Sequence, residues 1–311
     1  MTAIRTGFGF ASTAAEVVQG IDLTGRRAVV TGGASGIGIE TVRGLARCGV
    51  EVTVAVRNVE AAAPVIAELV ESTGNPHIRA AMLDLADHAT IGAFARGWSG
   101  PLHLLVNNAG VMAVPELQLT PQGWEMQFAT NFLGHFALAL ALHEALAKAG
   151  NARIVSLSSN GHLFSPVILD DPHFRFVPYD PIRAYGQSKS ATALFAVEAT
   201  KRWAGDGITA NAVMPGAIAT KLQRYTGGLQ TPVERRKTPE QGAATTLLVA
   251  TSPLLEGIGG RYFENCNEAE TVDHRNAEYS GVAPYALDPA NAHRLWEMAA
   301  AMLSSEQDAR A

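Results

Sequence analysis

The sequence predicts a doubly wound α/β fold, in which a seven-stranded parallel sheet carries helices on both faces. Short apolar, β-branched runs alternate with segments of helical periodicity along the chain, and this alternation is typical of parallel sheets covered on both sides. In addition, no linker or shift in composition divides the 311 residues. The sequence therefore predicts a single domain, 1–311, although its length alone would also permit two small domains.

Strands and helices alternate regularly in the first third of the chain. Thr13 and Glu16 match a capping box, which predicts a short helix that ends near Gly20. Apolar runs predict strands at 27–31, 51–56, 78–83 and 102–107. Helical periodicity predicts helices at 36–48, 60–72 and 87–98, the last with Asp87 as its N-cap.

The rest of the chain has longer helices and one long loop. Pro121 suits the first turn of a helix, and the apolar pattern after it predicts a helix to about 149. The stretch 166–181 contains four prolines and three aspartates, which indicates a loop. The remaining predicted strands are 153–158, 208–213 and 260–263. The remaining predicted helices are 182–203, 238–251 and 289–303, with an irregular stretch at 267–289.

Composition and charge argue against several classes of protein. The net charge of −5 provides no basic surface for nucleic acid. The most apolar stretch, 132–146, is too short and too polar for a membrane span, since His135, His143 and Glu144 interrupt it. The N-terminus lacks the basic and apolar regions of a signal peptide, so a cytoplasmic location is expected.

The two cysteines predict neither a disulfide nor a metal site. Cys48 lies in an apolar helical pattern and is predicted to be buried, whereas Cys266 lies in a polar loop and is predicted to be a surface thiol. No Cys-x-x-Cys or paired-histidine spacing is present, so no metal is expected. Free thiols fit a reducing compartment.

A glycine-rich segment joins the first predicted strand to a helix. It reads Thr-Gly-Gly-Ala-Ser-Gly-Ile-Gly from Thr31 to Gly38. Glycines let the backbone turn sharply and approach a pyrophosphate, which would lie at the helix N-terminus. A plain strand-to-helix turn is the alternative for such a segment, but its place between the first strand and a helix favours a dinucleotide site.

This segment resembles the Thr-Gly-x-x-x-Gly-x-Gly fingerprint of the short-chain dehydrogenase/reductase family, with the spacing of its single-domain branch. Further matches follow at later strand ends: Asp84-Leu85, Asn107-Asn108-Ala109-Gly110, and Pro215-Gly216 with Thr220. Alone, Asp84 and Asn108 could each be a turn or capping residue. The resemblance covers about 23–265 and implies a Rossmann-type fold that binds NAD(P)(H).

The resemblance also implies where the cofactor lies. In the family, Asp84 and Leu85 would contact the adenine, 107–110 would support the cofactor, and Thr220 would hold the carboxamide. The cofactor-binding residues implied in this way are Thr31, Gly32, Ser35, Gly36, Ile37, Gly38, Arg57, Asn58, Asp84, Leu85, Asn107, Ala109, Gly110, Tyr185, Lys189, Pro215, Gly216 and Thr220.

The end of the second strand bears on the choice of cofactor. An acidic residue there would accept a hydrogen bond from the adenine ribose and repel a 2′-phosphate. The strand instead runs into Arg57 and Asn58, and an arginine can pair with a 2′-phosphate. The sequence is similar to the retinol-dehydrogenase-like subset of the family, in which this arginine accompanies NADP(H). An exposed arginine is the alternative, and Ser35 stands where some NADP users carry a second basic residue, so NAD(H) stays open.

Tyr185 and Lys189 are the predicted acid–base pair. Their i, i+4 spacing puts them on one helix face, and a nearby ammonium is expected to lower the pKa of the phenol. Alone, this spacing is usually just a helix face. After a glycine-rich fingerprint, a strand and a serine pair, it resembles the family's catalytic motif.

Ser159 and Asn131 complete the catalytic set that the resemblance implies. Ser159 would hydrogen-bond the substrate oxygen, with Ser158 as the alternative. Asn131 would help to hold a water linked to Lys189, and its alternative is a polar residue that kinks a helix. Tyr185 would then protonate a carbonyl oxygen as the cofactor delivers hydride, or act as base in the reverse reaction.

Three segments are predicted to surround the substrate. Ser159 and Tyr185 are farther apart than in many family members, and the extra loop, 162–182, is expected to shape the pocket entrance, with His162, Phe164, Phe174 and Phe176 as lining residues or as residues that pack within the loop. By resemblance, 217–240 is a substrate lid. The C-terminal tail spans 264–311, and its acidic and aromatic part, 264–289, is expected to cover the pocket or a neighbouring subunit. Apart from these three segments, an N-terminal helical extension spans 1–24.

The predicted partners are a small carbonyl or alcohol substrate and further copies of the chain. By resemblance, a homodimer or homotetramer would form through the helices 121–149 and 182–205. A non-catalytic dinucleotide-sensing regulator on the same fold is the main alternative, but such proteins usually lose the tyrosine or the lysine. An epimerase or dehydratase is disfavoured by the glycine spacing.

Overall fold

The computed structural model describes residues 3–310, with side chains through residue 305. Met1, Thr2 and Ala311, the ends of the predicted domain, lie outside the described residues. The strands are β1 Arg27–Thr31, β2 Glu51–Val56, β3 Ile78–Met82, β4 Leu104–Asn107, β5 Ala152–Leu157, β6 Ile208–Met214, β7 Ala217–Ile218, β8 Arg236–Lys237, β9 Tyr262–Glu264 and β10 Asn267–Glu268. The main sheet has the order β3-β2-β1-β4-β5-β6-β9-β10. The doubly wound α/β prediction is confirmed.

The main sheet has eight strands, so the predicted count of seven is wrong. Seven strands are parallel, and the two-residue β10 pairs antiparallel with β9. Asn265 and Cys266 join the two strands with φ of +48° and +60°, and positive φ at both central residues is what a type I′ hairpin turn requires. Such a short strand without a glycine in its turn gives no sequence signal.

The helices are α1 Ala14–Val17, α2 Ile37–Arg47, α3 Val59–Thr73, α4 His88–Arg96, α5 Met126–Phe128, α6 Gly134–Ala141, α7 His143–Ala147, α8 Pro181–Trp203, α9 Pro239–Thr251 and α10 Pro289–Arg310. They form two layers with separate cores. α2, α3 and α9 pack on one face of the sheet, and α4, α6, α8 and α10 pack on the other. Successive residues of a strand point to opposite faces of the sheet and so belong to different cores. In β1, Val29 faces the α8 layer and Val30 faces the α2 layer.

The helix predicted for 121–149 is broken into several pieces. Residues 121–123 form a turn, with Gly123 at φ +81°, and the helix begins only at Met126. Glu125 is the N-cap, and its carboxylate accepts hydrogen bonds from the backbone N–H groups of Gln127 and Phe128. A π-helical segment, Ala129–Leu133, separates α5 from α6. The predicted helix start at Pro121 is wrong, because the apolar pattern continues through these breaks and does not show them.

The N-terminal segment is hydrogen-bonded to the start of the C-terminal tail. The Ile4 N–H donates to a Glu268 carboxylate oxygen at 2.9 Å, and the Thr6 hydroxyl donates to the Cys266 carbonyl at 2.8 Å. The Thr13–Glu16 capping box is present. Cys266 is fully buried beside Thr245, so its prediction as a surface thiol is wrong, because the segment 3–8 covers the hairpin that carries it. Cys48 is buried, as predicted.

The C-terminal helix α10 lies on α8 and closes the α8 layer. Trp296 of α10 contacts Phe136 of α6 with ring centroids 4.8 Å apart, and Trp203 of α8 with centroids 5.3 Å apart. Phe195 stacks on the same indole at 6.2 Å. This aromatic cluster is part of the core, so α10 covers much of the surface of α8 that would otherwise face solvent.

Candidate active site

The predicted site residues stand at the carboxyl ends of adjacent strands. Thr31 ends β1, Asn107 ends β4, Ser158 and Ser159 follow β5, and Pro215 follows β6. These four strands lie side by side in the sheet. In an open α/β sheet, ligands bind beyond this edge, near the point where the strand order reverses. That point lies here between β1 and β4.

The glycine-rich turn between β1 and α2 requires its glycines. Gly36, the N-cap of α2, has φ +55° and ψ −137°, a conformation that residues with a Cβ rarely adopt. A Cβ at Gly38 would lie 2.6 Å from the Gly32 carbonyl oxygen and 2.8 Å from the Asn108 amide nitrogen. The turn is therefore bare backbone at a helix N-terminus, which fits the close approach of a pyrophosphate.

Asn108 and His135 brace this turn. The predicted cofactor-supporting element 107–110 included Asn108, but His135 was not predicted as a site residue. The Asn108 side-chain amide donates to the Thr31 carbonyl at 2.7 Å, and the Thr31 hydroxyl oxygen accepts from the Asn108 and Ala109 N–H groups. His135 Nε2 lies 2.9 Å from the Thr31 hydroxyl. The Asn-Asn-Ala-Gly motif was a signal for Asn108, whereas no local pattern pointed to His135.

The other predicted adenine-side residues are close to this edge, but several are engaged locally. The side-chain amide oxygen of Asn58 caps α3 by accepting from the Ala61 N–H at 2.9 Å. A carboxylate oxygen of Asp84 accepts from the Ala86 N–H at 3.0 Å. Ser35 and Arg57 are exposed and Leu85 is buried. The turn role considered as an alternative for Asp84 is therefore present in the structure, whereas the Asn108 amide reaches across to Thr31.

Three residues connect the turn to its surroundings. Ile37 packs against α9, since a Cβ at Gly242 would lie 2.8 Å from its side chain. Asn107 is buried and donates to the Ser156 hydroxyl at 3.2 Å, while its amide oxygen has no hydrogen-bond partner among the described residues. Thr220, the N-cap of a 3₁₀ turn at Lys221–Tyr225 in the lid, lies 3.4 Å from where a Cβ of Gly36 would be. The lid therefore begins directly over the glycine-rich turn.

The base of the predicted lid is tied together. β7 and β8 pair as a separate parallel sheet that joins the two ends of 217–237. Gly216 has φ +107°, and a Cβ there would lie 2.7 Å from the Lys237 side chain. Pro215 and Gly216 thus bring the end of β6 against the returning strand of the lid.

Tyr185, Ser159 and Lys189 come together where α8 passes the end of β5. Ser159 Oγ and Tyr185 Cε1 lie 3.4 Å and 2.6 Å from the same point, where a Cβ of Gly161 would be, so the two side chains are direct neighbours. Lys189 Nζ donates to the Leu157 carbonyl at 2.8 Å and lies 5.6 Å from the centre of the Tyr185 ring. Gly161 leaves room for this ring, since a Cβ there would lie 2.6 Å from Tyr185 Cε1.

Burial is the main cause of the pKa shifts of Tyr185 and Lys189. It raises the pKa of Tyr185 to about 12, against the opposing effect of the Ser159 hydroxyl. It also lowers the pKa of Lys189 to about 8. The expected lowering of the tyrosine pKa by the ammonium is therefore not seen, because removing the phenolate from water costs more than the lysine at this distance restores.

The two serines have different surroundings. Ser158 is buried, and its hydroxyl donates to the Lys189 carbonyl at 2.8 Å. The Ser159 hydroxyl faces Tyr185 and accepts from the Gly161 N–H at 3.0 Å. The geometry therefore favours Ser159 for contact with a substrate oxygen.

Asn131 connects the loop after β4 to α8. Its amide oxygen accepts from the Val111 N–H at 2.8 Å, and its amide nitrogen donates to the Val111 carbonyl and to the Ser188 hydroxyl, each at 2.9 Å. It lies within the π-helical segment, a feature frequent at functional sites. A Cβ at Gly110 would lie 3.1 Å from the Asn131 oxygen and 3.6 Å from Lys189 Nζ.

The extra loop is held by buried polar side chains. The Asp171 carboxylate accepts from the N–H groups of Arg175, Phe176 and Val177. Of the predicted lining residues, His162 and Phe174 are buried, Phe164 is exposed, and Phe176 is 89% exposed. Only part of this set can therefore face a pocket.

The fold and the arrangement at its strand ends define the class: a Rossmann-type protein with a glycine-rich turn beside a serine, a tyrosine and a lysine. Comparison with known proteins agrees. A family model described as short chain dehydrogenase matches residues 26–228. The chain therefore belongs to the short-chain dehydrogenase/reductase family, an oxidoreductase family whose fold binds nicotinamide dinucleotides and whose members act on small molecules.

Individual relatives extend over most of the chain. A Streptomyces lividans protein named "Probable oxidoreductase" is 55% identical over 298 residues, which cover 92% of this chain and 100% of the relative. The mouse "Polyprenol dehydrogenase" is 40% identical over 80% of this chain and 78% of its own length. The solved structure of an uncharacterised protein from Mycobacterium paratuberculosis superposes with a TM-score of 0.74 at 31% identity, covering 94% of this chain and 97% of that one.

The described residues provide neither a membrane-spanning helix nor a cluster of metal ligands. None of their helices combines the length and apolarity needed to cross a bilayer. None of their histidine, cysteine, aspartate and glutamate side chains forms a group of three or more that could hold a metal ion.

Proposed function

We propose that this protein is an NADP(H)-dependent enzyme that interconverts a hydrophobic aldehyde or ketone and the corresponding primary or secondary alcohol, with Tyr185 as general acid and base. The observation that carries the proposal is the juxtaposition of the Ser159 and Tyr185 side chains, with Lys189 one helical turn away. The pair lies at the same sheet edge as a glycine-rich turn too close to its neighbours for side chains. The bare turn fits a pyrophosphate, and thus a dinucleotide.

The protein's own groups would share the chemistry as follows. When bound, the nicotinamide supplies or accepts the hydride. Ser159 donates a hydrogen bond to the substrate oxygen, and Tyr185 transfers its proton to that oxygen during reduction. The raised pKa of Tyr185 keeps the phenol protonated at neutral pH, which suits the reductive direction.

Lys189 would act as a positively charged neighbour. Its pKa of about 8 leaves it largely protonated at pH 7. The ammonium would stabilise negative charge that develops on Tyr185 or on the substrate oxygen, and it is close enough to the strand ends to hold the nicotinamide ribose. Asn131 would keep the loop after β4 in register with α8 through Val111 and Ser188.

Arg57 supports the choice of NADP(H). It is exposed directly after β2, no acid stands there to repel a 2′-phosphate, and a guanidinium can grip a phosphate through two N–H groups. NAD(H) is the alternative cofactor.

Apolar residues support a hydrophobic substrate. Phe164 in the extra loop and Tyr225 and Val233 in the lid are large side chains exposed to solvent. The name of the mouse relative, a polyprenol dehydrogenase, points to the same substrate chemistry. We also propose a cytoplasmic homodimer or homotetramer.

Cofactor titration tests the binding half of this proposal. NADPH and NADH are titrated separately by nicotinamide fluorescence into wild type, Arg57→Ala and a matched control, Arg47→Ala, in which another exposed arginine is removed from the end of α2. We expect wild type and Arg47→Ala to prefer NADPH, and Arg57→Ala to lose about tenfold or more in NADPH affinity. Equal binding of NADH and NADPH to wild type would contradict the role of Arg57, and absence of binding would contradict the dinucleotide site.

A further inference from the structure

We propose that His162 is a positioning residue that couples the turn carrying Ser159 to the C-terminal tail, so that 281–286 forms a fixed wall of the active site. The kinetic consequences of this inference rest on the proposed function. The structural coupling can be tested without any enzymatic turnover. His162 lies three residues after Ser159 and has no exposed surface.

The ring of His162 joins two segments more than a hundred residues apart. Its Nε2 accepts a hydrogen bond from the Ala283 N–H at 3.1 Å. Because a backbone N–H can only donate, Nε2 carries no proton, and the ring proton is on Nδ1. Nδ1 then donates to the Ser159 carbonyl at 2.7 Å. One neutral imidazole therefore ties the catalytic turn on one side and the tail on the other.

Further contacts keep the imidazole in this orientation. The Tyr262 hydroxyl of β9 lies 3.2 Å from Nδ1. The Tyr285 hydroxyl of the tail donates to the His162 carbonyl at 2.6 Å. Burial lowers the pKa of His162 to about 4, so Nε2 remains an acceptor at neutral pH.

The tail segment is fixed from its other side as well. The Gly281 N–H donates to a Glu264 carboxylate oxygen at 2.8 Å, and the Val282 N–H donates to the Glu270 carbonyl at 2.8 Å. Val282 and Ala283 are buried. The bond from Ala283 to the His162 ring therefore joins this anchored segment to the turn of Ser159, alongside the bond from Tyr285 to the His162 carbonyl.

Two substitutions separate the two hydrogen bonds of the ring. In His162→Asn, the side-chain N–H₂ takes roughly the place of Nδ1 and keeps the donor to Ser159, but the Ala283 N–H loses its acceptor. In His162→Gln, the side-chain oxygen takes roughly the place of Nε2 and keeps the acceptor for Ala283, but the Ser159 carbonyl loses its side-chain donor.

The two variants should therefore fail in different ways. We expect His162→Asn to raise KM about tenfold with kcat nearly unchanged, because the tail wall loosens. We expect His162→Gln to lower kcat about tenfold with KM nearly unchanged, because Ser159 loses its fixed position. Kinetics are measured on NADPH-dependent reduction of a panel of hydrophobic aldehydes and ketones. A histidine with a purely structural role would give both variants the same loss.

Amide hydrogen exchange tests the coupling without turnover. In His162→Asn, exchange should accelerate at Ala283 and not at Gly161, whereas in His162→Gln it should accelerate at Gly161 and not at Ala283. His103→Asn, at the opposite end of the sheet where Nδ1 accepts from the Arg27 N–H, is the matched control and should change neither. Unchanged exchange at Ala283 in His162→Asn would overturn the proposal. If wild type turns over no carbonyl but the exchange pattern appears, the proposed function fails and the coupling stands.

Discussion

At the scale of single residues, the sequence motifs located the side chains of the candidate site, but they did not predict its electrostatics. Tyr185, Lys189 and Ser159 are adjacent in the structure, as their positions at strand and helix ends predicted. The pKa of Tyr185, however, is raised where a neighbouring ammonium was expected to lower it. Motif spacing shows which groups are neighbours, whereas desolvation depends on how completely the rest of the chain covers them.

Substitution of Ser158 and Ser159 in turn tests which of these two adjacent serines contacts the substrate oxygen. We expect Ser159→Ala to lower kcat by about 10²–10³, because it removes a donor to the developing oxyanion. Ser158→Ala should leave kcat within a few-fold but lower stability by about 1–3 kcal/mol, because the Lys189 carbonyl loses its buried partner. Steady-state kinetics and urea unfolding of both variants check this. The reverse pattern, with kcat lost only in Ser158→Ala, would transfer the role to Ser158.

Histidine contacts were the part of the site that sequence reasoning could not supply. His135 reaches Thr31 and His162 reaches Ala283, and both partners are about a hundred residues away in the chain. A local pattern carries no information on such pairs, because they depend on strand order and on the path of the tail. The position of Asn108 was predicted from the Asn-Asn-Ala-Gly motif. Its hydrogen bond to the Thr31 carbonyl was not predicted.

At the scale of secondary structure, the strands were the most predictable elements. β1 and β2 begin and end where predicted, because parallel strands covered on both faces read as continuous apolar runs. The prediction of one helix over 121–149 is wrong because it, too, relied on a continuous apolar pattern. Its apolar residues continue through the turn at Gly123, the N-cap Glu125 and the π-helical segment, and only the backbone conformation shows these breaks.

Glu125 makes the start of this broken helix sensitive to pH. Burial raises the pKa of its carboxyl to about 7, with the hydrogen bonds to Gln127 and Phe128 acting in the opposite direction. A raised folded-state pKa means that the native state holds more protons than the unfolded chain between pH 4.5 and 7. The contribution of Glu125 to stability is therefore fully present below pH 4.5 and is lost as pH rises through 7.

Glu125→Gln should remove this pH dependence. Glutamine keeps an oxygen that can accept from the helix N–H groups but cannot ionise. We expect the stability of the variant relative to wild type to rise by about 3 kcal/mol between pH 4.5 and pH 8. Urea unfolding of both proteins across this range measures it. A difference that does not change with pH would show that the carboxyl keeps an ordinary pKa in the folded protein.

At the scale of the whole molecule, the C-terminal helix changes the predicted assembly. A homo-oligomer was expected through the helices 121–149 and 182–205. α10 instead lies on α8 and on Phe136 of α6 through Trp296, so the α8 surface is already used within one chain. Periodicity predicted that a helix follows Pro289, but it could not show where that helix packs.

α6 has an exposed apolar side within the predicted interface. Leu140 is 36% exposed and Ala141 beside it is exposed. We expect wild type to scatter light as a dimer or tetramer of the 32.8 kDa chain, and Leu140→Glu to dissociate because a charge in the interface is left unpaired. Leu254→Glu, at a leucine that is 67% exposed in the turn after α9, should leave the assembly intact. A wild-type mass of one chain at micromolar concentration would refute the homo-oligomer.

The most direct test of the account is whether the protein transfers hydride and whether Tyr185 is needed for it. NADPH deuterated at the transferred position is incubated with wild type or Tyr185→Phe and a panel of hydrophobic aldehydes and ketones, and the products are analysed by mass spectrometry. We predict one deuterium on the former carbonyl carbon with wild type, and a rate lower by about 10²–10⁴ with Tyr185→Phe, which should still bind NADPH. If wild type binds NADPH but transfers no deuterium, or if Tyr185→Phe transfers it at the wild-type rate, the protein is not the tyrosine-dependent oxidoreductase described here.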